Sequence, residues 1–94
     1  MNLKFSAEVI YWRGPAPFYF VPVPEAQSAK IKAEAVRLTY GWGVIPVTVK
    51  IGKTEFTTSL FPKNGIYLVP IKNVVRLAED LDVDDPVSVT LQLG

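Results

Sequence analysis

Two parts of this sequence repeat one order of patterns, and that repetition constrains the fold more than any other feature. The first part has an alternating segment, a loop, the run YFVPVP, a helical pattern and PVTVKIG; the second ends in YLVPIK, a helical pattern and PVSVTLQLG. The matched positions are Phe5 and Phe56, Tyr19 and Tyr67, Pro22 and Pro70, Pro46 and Pro86, and Val47 and Val87. They define pseudo-repeats at about 3–52 and 53–94. Because one strand–strand–helix–strand unit of this size cannot bury its own apolar face, we expect the two copies to pack on each other.

Six stretches of the chain have the signature of β-strands. In most of them apolar and polar residues alternate with the period of two that is typical of a half-buried strand. The predicted strands cover 3–11, 18–23, 45–51, 56–60, 66–71 and 87–93. Gly52-Lys53 and residues 62–65 are predicted to be turns, with glycine where a positive φ is needed.

Two apolar patterns with helical spacing predict helices at about 24–38 and 72–81, with a turn at 39–43 between the first helix and the next strand. The expected apolar face of the first helix has Ala26, Ala29, Ala33 and Val36, with Ile31, Ala35 and Leu38 beside them, and that of the second has Ile71, Val74, Val75 and Ala78. Closing the sheet removes free strand edges. The sequence therefore predicts a mainly β fold, namely a closed or nearly closed six-stranded barrel with two short helices and pseudo-twofold symmetry.

Composition narrows the functional classes. A chain of 94 residues with 49% apolar residues is predicted to form one domain, 1–94, with its own core. It contains no histidine and no cysteine, so His or thiolate metal sites and Ser-His or Cys-His nucleophiles are excluded. We therefore expect no cofactor, no metal site and no catalytic residue. The net charge of +1 makes a nucleic-acid partner unfavourable.

No segment of the chain has the pattern of a targeting or membrane-spanning sequence. The first residues alternate polar and apolar and have no continuous apolar region, unlike a signal peptide. The longest uncharged stretch, 38–49, is too short and too rich in glycine and proline to span a bilayer. These features predict a cytoplasmic protein without a membrane partner.

Several stretches resemble a known family of small bacterial and archaeal proteins. They are FSAEV (5–9), the loop 12–18 with the strand after it, PVTVKIGKTEFTTSLFP (46–62), YLVPIKNVVR (67–76) and the closing DPVSVTLQL (85–93). Over nearly its whole length the chain is similar to the DUF1905 family, a domain of unknown function. The resemblance implies a small barrel related in plan to double-psi and swapped-hairpin barrels, without an established activity. It also implies a stand-alone form, because the YdeI/OmpD-associated module that often follows is absent. Members usually have Gly-Asp where this chain has Asp84-Asp85.

Two charged motifs have a functional and a simpler interpretation. Gly52-Lys53-Thr54 looks like the end of a phosphate-binding loop, but the required earlier glycine is Val47, and the motif lies in a hairpin. We interpret it as a turn. The segment 79–85 holds five carboxylates, which suit a weak Ca²⁺ or Mg²⁺ site, although a solvated helix end is the favoured interpretation.

Aromatic and cationic residues beside the predicted loops suggest a binding site at one end of the barrel. Trp12 and Phe18 flank one loop, while Tyr40 and Trp42 bracket another. Aromatic side chains at such places either rim a pocket or close the core, and closing the core is favoured. The candidate ligand-binding residues are Arg13, Tyr19, Thr58, Ser59, Lys63, Tyr67 and Lys72.

Three classes of function remain open on the sequence alone. The favoured one is a non-enzymatic binding or interaction module for a small ligand or protein partner. The alternative is a nucleic-acid-binding or antitoxin-like regulator, by analogy with swapped-hairpin barrels. An enzyme using lysine, tyrosine or carboxylates is least favoured. The 38–44 turn and the sheet edges also suggest a homodimer.

Overall fold

The computed structural model describes residues 1–13, 19–35 and 45–93. Its elements are β1 (Asn2–Glu8), β2 (Ile10–Tyr11), β3 (Tyr19–Pro22), α1 (Glu25–Ala33), β4 (Ile45–Ile51), β5 (Thr54–Lys63), β6 (Ile66–Ile71), α2 (Asn73–Ala78) and β7 (Pro86–Leu93). The predicted mainly β fold with helices between strands is confirmed. The predicted turn at 39–43, the end of the first predicted helix, and Phe18, Tyr40 and Trp42 lie outside the described residues.

All seven strands form one antiparallel sheet that curls into a half-barrel. The strand order is β1-β7-β4-β5-β6-β3-β2. The prediction of a closed six-stranded barrel is therefore wrong. The N-terminal amine donates to the Leu93 carbonyl at 2.8 Å, and the Leu93 N–H donates to the Met1 carbonyl at 2.8 Å, so the β1–β7 ladder extends to the chain's first residue.

Val9 is the reason why the predicted strand 3–11 is two strands. Its N–H donates to the Asp85 carbonyl at 3.0 Å, and its carbonyl accepts the Asp84 N–H at 2.8 Å. Both backbone groups of Val9 therefore bond to the loop before β7 rather than to a neighbouring strand. The residues before Val9 pair with β7 and those after it pair with β3, which puts consecutive strands at opposite ends of the strand order.

The sheet has two halves that share β5. The β7 half consists of β1, β7, β4 and residues 54–60 of β5, and the β3 half consists of β2, β3, β6 and residues 61–63 of β5. The concave face of both halves holds the core. Its fully buried residues include Ile31, Ile45, Leu60, Ile71, Leu91 and Leu93, and valines at 9, 21, 23, 49, 69 and 89.

The predicted apolar face of α1 is wrong for its three alanines within the helix and right for Ile31. Ala26, Ala29 and Ala33 are exposed, whereas Ser28 and Ile31 are buried. The alanines have the correct helical spacing, but periodicity alone does not fix which face turns towards the sheet. Only the larger Ile31 supplies enough apolar surface to anchor the helix.

Ser28 links α1 to two strands through its hydroxyl group. Its Oγ donates to the Val23 carbonyl at 2.9 Å and accepts the Tyr67 N–H at 3.1 Å, while the Val23 N–H donates directly to the Tyr67 carbonyl at 2.8 Å. An antiparallel pair normally exchanges two direct bonds at such a position. The hydroxyl therefore stands in for one of the two bonds beyond the end of the β3–β6 ladder.

The second helix is shorter than predicted and buries only Val75. Val74 is 70% exposed and Ala78 is also exposed, so the predicted apolar face is wrong for both. The helix stops before residue 81 because Asp80 adopts a positive φ of 52°. Of the described helices, neither is long and apolar enough to cross a membrane.

Both predicted hairpin turns are confirmed, and glycine is needed in each. Gly52 has a φ of 59°, while Asn64 and Gly65 have φ values of 52° and 84°. Two consecutive positive φ angles are typical of the type I′ turn that Asn-Gly favours. Before β7, Asp84 also has a positive φ of 71°, at the position where the resembling family usually has glycine.

We expect Gly52→Ala to destabilise the protein more than Gly65→Ala. Both changes force alanine into the left-handed region, at about 1–2 kcal/mol. A Cβ at Gly52 would also overlap the Glu79 carboxylate, which accepts the Thr54 hydroxyl at 2.6 Å, whereas nothing lies within 4 Å of a Cβ at Gly65. Losing that hydrogen bond adds roughly 1 kcal/mol. Urea denaturation followed by circular dichroism measures both changes.

The extra destabilisation expected for Gly52→Ala can be tested by removing the Glu79 carboxylate. In a Glu79→Ala background, Gly52→Ala and Gly65→Ala should cost the same, because the overlapping carboxylate is gone. Equal costs in the unmodified protein would contradict the role given to Glu79.

Candidate functional site

The convex face of the β7 half is polar. Its outward residues alternate with core residues along each strand. They include Lys4, Ser6, Glu8, Thr48, Lys50, Glu55, Thr57, Ser88, Thr90 and Gln92. This alternation is the pattern of an antiparallel sheet with one face in the core and the other in water.

The convex face of the β3 half is apolar instead. Tyr19, Val21 and Val69 point into the core, so the residues between and beside them point outwards. These outward residues are Ile10, Phe20, Pro22, Phe61, Ile66, Leu68 and Pro70. Phe20 is 6% and Leu68 is 4% exposed, yet neither belongs to the core cluster. The β3 half therefore has a second apolar layer on its outer side.

Aromatic rings and a lysine cover this outer layer. The Trp12 and Phe20 ring centroids are 5.9 Å apart, and Phe61 packs edge-on against Phe20 at 6.5 Å. The Lys63 ammonium lies 3.0 Å from the centroid of the Trp12 ring. Trp12 and Phe61 remain 40% and 41% exposed, respectively. The layer thus presents partly exposed aromatic surface to anything that binds there.

A groove of about 690 Å³ runs along this layer, and we call it the outer groove. Its lining residues are Ile10, Tyr11, Trp12, Arg13, Pro22, Glu25, Lys63, Asn64, Ile66 and Leu68. The floor is apolar, and the charged side chains that the described residues contribute are two cations and one carboxylate. Its volume lies in the range of small-molecule sites, about 300–1,000 Å³.

A smaller hollow of about 270 Å³ lies beside the outer groove, around the β5–β6 turn. It is lined by Lys32, Pro62, Lys63, Asn64, Gly65, Ile66 and Tyr67. Lys63, Asn64 and Ile66 line both spaces, so the turn forms the wall between them. The part of its lining that the structure describes has two lysines and no acidic residue.

The structure brings together some of the sequence-predicted binding residues and separates others. Arg13 and Lys63 line the outer groove, while Lys63 and Tyr67 line the smaller hollow. Tyr19 points into the core side, where its ring packs edge-on against Tyr11 at 5.2 Å. The three others, Thr58, Ser59 and Lys72, lie on β5 or just before α2 and line neither space.

Arg76 is a half-buried cation that contacts Tyr19. The centre of its guanidinium lies 4.6 Å from the Tyr19 ring centroid, and Nη1 donates to the Leu81 carbonyl at 3.4 Å. Its Nε is buried without a hydrogen-bond partner within the described part of the chain. Lys72, four residues earlier, is exposed, so the two cations have different surroundings.

The acidic segment 79–85 uses several of its carboxylates to hold its own backbone. An Asp85 oxygen accepts the Asp82 N–H at 2.8 Å, and an Asp82 oxygen accepts the Val83 N–H at 2.8 Å. Glu79 accepts the Thr54 hydroxyl. In residues 1–13, 19–35 and 45–93, no three acidic side chains are placed to hold a metal ion.

Comparison with known families identifies the fold family. The profile of the family described as "Domain of unknown function (DUF1905)" matches residues 5–91. The chain belongs to the DUF1905 family. The match confirms the resemblance noted in the sequence, and it spans every residue that lines the outer groove of this DUF1905 chain. No curated protein matches the chain. Because the family description assigns no activity, the function has to be argued from the groove itself.

Sequence reasoning missed most of the apolar residues of this DUF1905 groove. Ile10, Pro22, Ile66 and Leu68 were interpreted only as strand residues. The signal was present, because YFVPV and IYLVPI are continuous apolar runs, whereas β4 and β7 alternate. A continuous run predicts a strand covered on both faces. Applied to these two strands, that rule would have predicted the outer layer.

Proposed function

We propose that the protein is a non-enzymatic binding module that takes an apolar ligand or partner group in the outer groove. The observation that carries the proposal is the difference between the two halves of one sheet. The convex face is polar in the β7 half and apolar in the β3 half. On the apolar side, the rings of Trp12 and Phe61 remain 40% and 41% exposed, and partly exposed apolar surface that lines a groove is typical of a ligand-binding site.

The charges of the groove favour a ligand over nucleic acid. A nucleic-acid interface needs a row of phosphate-binding cations. The outer groove has Arg13 and Lys63 together with Glu25, which is a local balance rather than a basic stripe. No observation on the described residues favours the regulator hypothesis.

The duplication belongs to the same proposal, and the strand registers support it. The sequence match aligns Phe20 with Leu68 and Pro22 with Pro70, so it converts the observed pair Phe20–Pro70 into the observed pair Leu68–Pro22.

The same test holds in the β7 half, where the match aligns Val49 with Val89 and Ile51 with Leu91. It converts the pair Val49–Leu91 into Val89–Ile51, and the pair Phe5–Val89 into Phe56–Val49. Under this symmetry, the outward apolar positions of β3 and β6 are copies of one ancestral face.

We expect ligand binding to depend strongly on Trp12. A fragment panel of aromatic and aliphatic compounds should shift the amide resonances of Ile10, Ile66 and Leu68 and the Trp12 indole resonance in ¹H–¹⁵N spectra. Trp12→Ala removes the largest partly exposed ring of the groove, and a central aromatic anchor is worth at least about 2 kcal/mol, or roughly 30-fold in Kd.

Thr57→Ala, on the polar convex face, is the matched control and should leave Kd unchanged. A panel without binders, or binders that shift resonances of the β7 half instead, would contradict the proposal. If the groove instead binds a second copy of the chain, sedimentation will show concentration-dependent dimers that Trp12→Ala dissociates.

A further inference from the structure

Lys63 is held in the outer groove by an aromatic ring. Its ammonium lies 3.0 Å from the Trp12 ring centroid, and its side chain is half-buried on β5. A ring face attracts a cation but cannot satisfy its N–H donors as a carboxylate does. The contact therefore positions the ammonium in the groove while leaving hydrogen-bond donors for a ligand.

The cations around the β5–β6 turn outnumber the acids. Among the described residues, the charged side chains that line the outer groove are Arg13, Lys63 and Glu25, which give a net charge of +1. The described lining of the hollow on the other side of the turn adds Lys32 and no acid. An anionic group at this end of the groove is attracted by all three cations, and their effect is strengthened by the apolar surroundings.

We propose that the ligand of the outer groove is a small organic monocarboxylate with a flat apolar body. The body lies on the apolar floor beside Trp12, and the carboxylate accepts hydrogen bonds from Lys63 and Arg13. The net charge of the groove lining matches a single negative charge. This inference rests on the proposed function, because it names the chemical class of the ligand for the same site.

Two probes of the same shape test the inference. We would titrate the protein with 2-naphthoate and with its neutral amide, 2-naphthamide, and follow the groove resonances in ¹H–¹⁵N spectra. The acid should bind about tenfold more tightly than the amide, equivalent to about 1.4 kcal/mol. Raising the salt concentration should weaken binding of the acid and leave binding of the amide unchanged.

Lys63→Met keeps the apolar stem and removes the ammonium, so it should lower the affinity for the acid to that for the amide. Arg13→Met removes the charge of the second, exposed cation and should lower the affinity for the acid in the same way, but by less. The control is Lys53→Met, in the other hairpin turn, which also removes one positive charge but lies outside the groove. It should change neither affinity.

Each outcome separates this inference from the proposed function. Equal affinity of the acid and the amide in the groove overturns the carboxylate inference and supports the binding module. Binding of the acid that Lys53→Met weakens as much as Lys63→Met shows unspecific charge attraction and also overturns it. If neither 2-naphthoate nor 2-naphthamide binds in the groove, the inference is overturned. The proposed function is then decided by the fragment panel alone.

Discussion

Leu91→Ala should destabilise the protein by about 2–5 kcal/mol, the range for a fully buried leucine. Leu91 is 0% exposed and lies in the middle of the β7 half, where it opposes Leu3 on one side and Val49 on the other. Val49 is also paired with Phe56 of β5, so the sheet can close only partly into the space left behind. Because domains of this size have about 5–15 kcal/mol in total, a large part of the stability would be lost.

The measurement is urea denaturation followed by far-ultraviolet circular dichroism, with Gln92→Ala as the control. Gln92 is the next residue on the same strand and points outwards, so its truncation should change the stability by less than about 0.5 kcal/mol. Leu91→Met, which nearly conserves volume, should cost less than about 1.5 kcal/mol. A loss for Leu91→Ala no larger than that for Gln92→Ala would show that the packing of the β7 half is loose.

Ser28→Ala should cost about 2–4 kcal/mol although it removes a single oxygen atom. Ser28 is 1% exposed, and its hydroxyl bonds to the Val23 carbonyl and to the Tyr67 N–H. Without it, two buried backbone groups lack partners, at about 1–3 kcal/mol each. We expect less than the full sum of the two penalties, because the backbone at Val23 and Tyr67 can move together and form a direct hydrogen bond.

Amide hydrogen exchange distinguishes these outcomes. In the Ser28→Ala protein, the Tyr67 amide should exchange faster relative to global unfolding, because its acceptor is gone. Ser88→Ala removes an exposed hydroxyl on β7, 3.4 Å from the Ser6 hydroxyl, and should be nearly neutral. An unchanged Tyr67 exchange rate would mean that another acceptor has replaced the serine.

The sequence was most informative where a local rule decides the structure. Gly52 and the Asn64-Gly65 pair have positive φ angles, which few residues other than glycine and asparagine accept, so both hairpins could be predicted from the residues alone. Strand β4 was predicted with its observed ends because its alternation is uninterrupted between two turn signals.

Features that depend on distant residues were not predictable in this way. The break at Val9 results from bonds to Asp84 and Asp85, which are more than seventy residues further along the chain. Alternation continues through Val9 in the sequence, so nothing local marks the break. For the same reason, the buried face of α1 was not predictable from the sequence. The fit of Ile31 and Ser28 against the sheet decides which face turns inwards.

The candidate site was predicted only through its charged residues. Arg13 and Lys63 were chosen because they flank turns, and they do line one groove. Thr58 and Ser59 were predicted because they precede the 62–65 turn, but on β5 they line neither the groove nor the hollow beside that turn. The apolar residues of the groove were predicted only as strand residues, because a sequence that is apolar on both faces of a strand does not state which face is inside.

The exchange of hydrogen bonds between Met1 and Leu93 has a consequence for how the chain could be rewired. Since the two ends already lie side by side, a short glycine linker can join them without disturbing β1 or β7. New ends can then be opened between Gly52 and Lys53, in the turn between β4 and β5. Such a circular permutant places β5, β6 and β7 before β1 while keeping every strand pair between the described residues. The order of the strands along the chain is therefore separable from their order in the sheet.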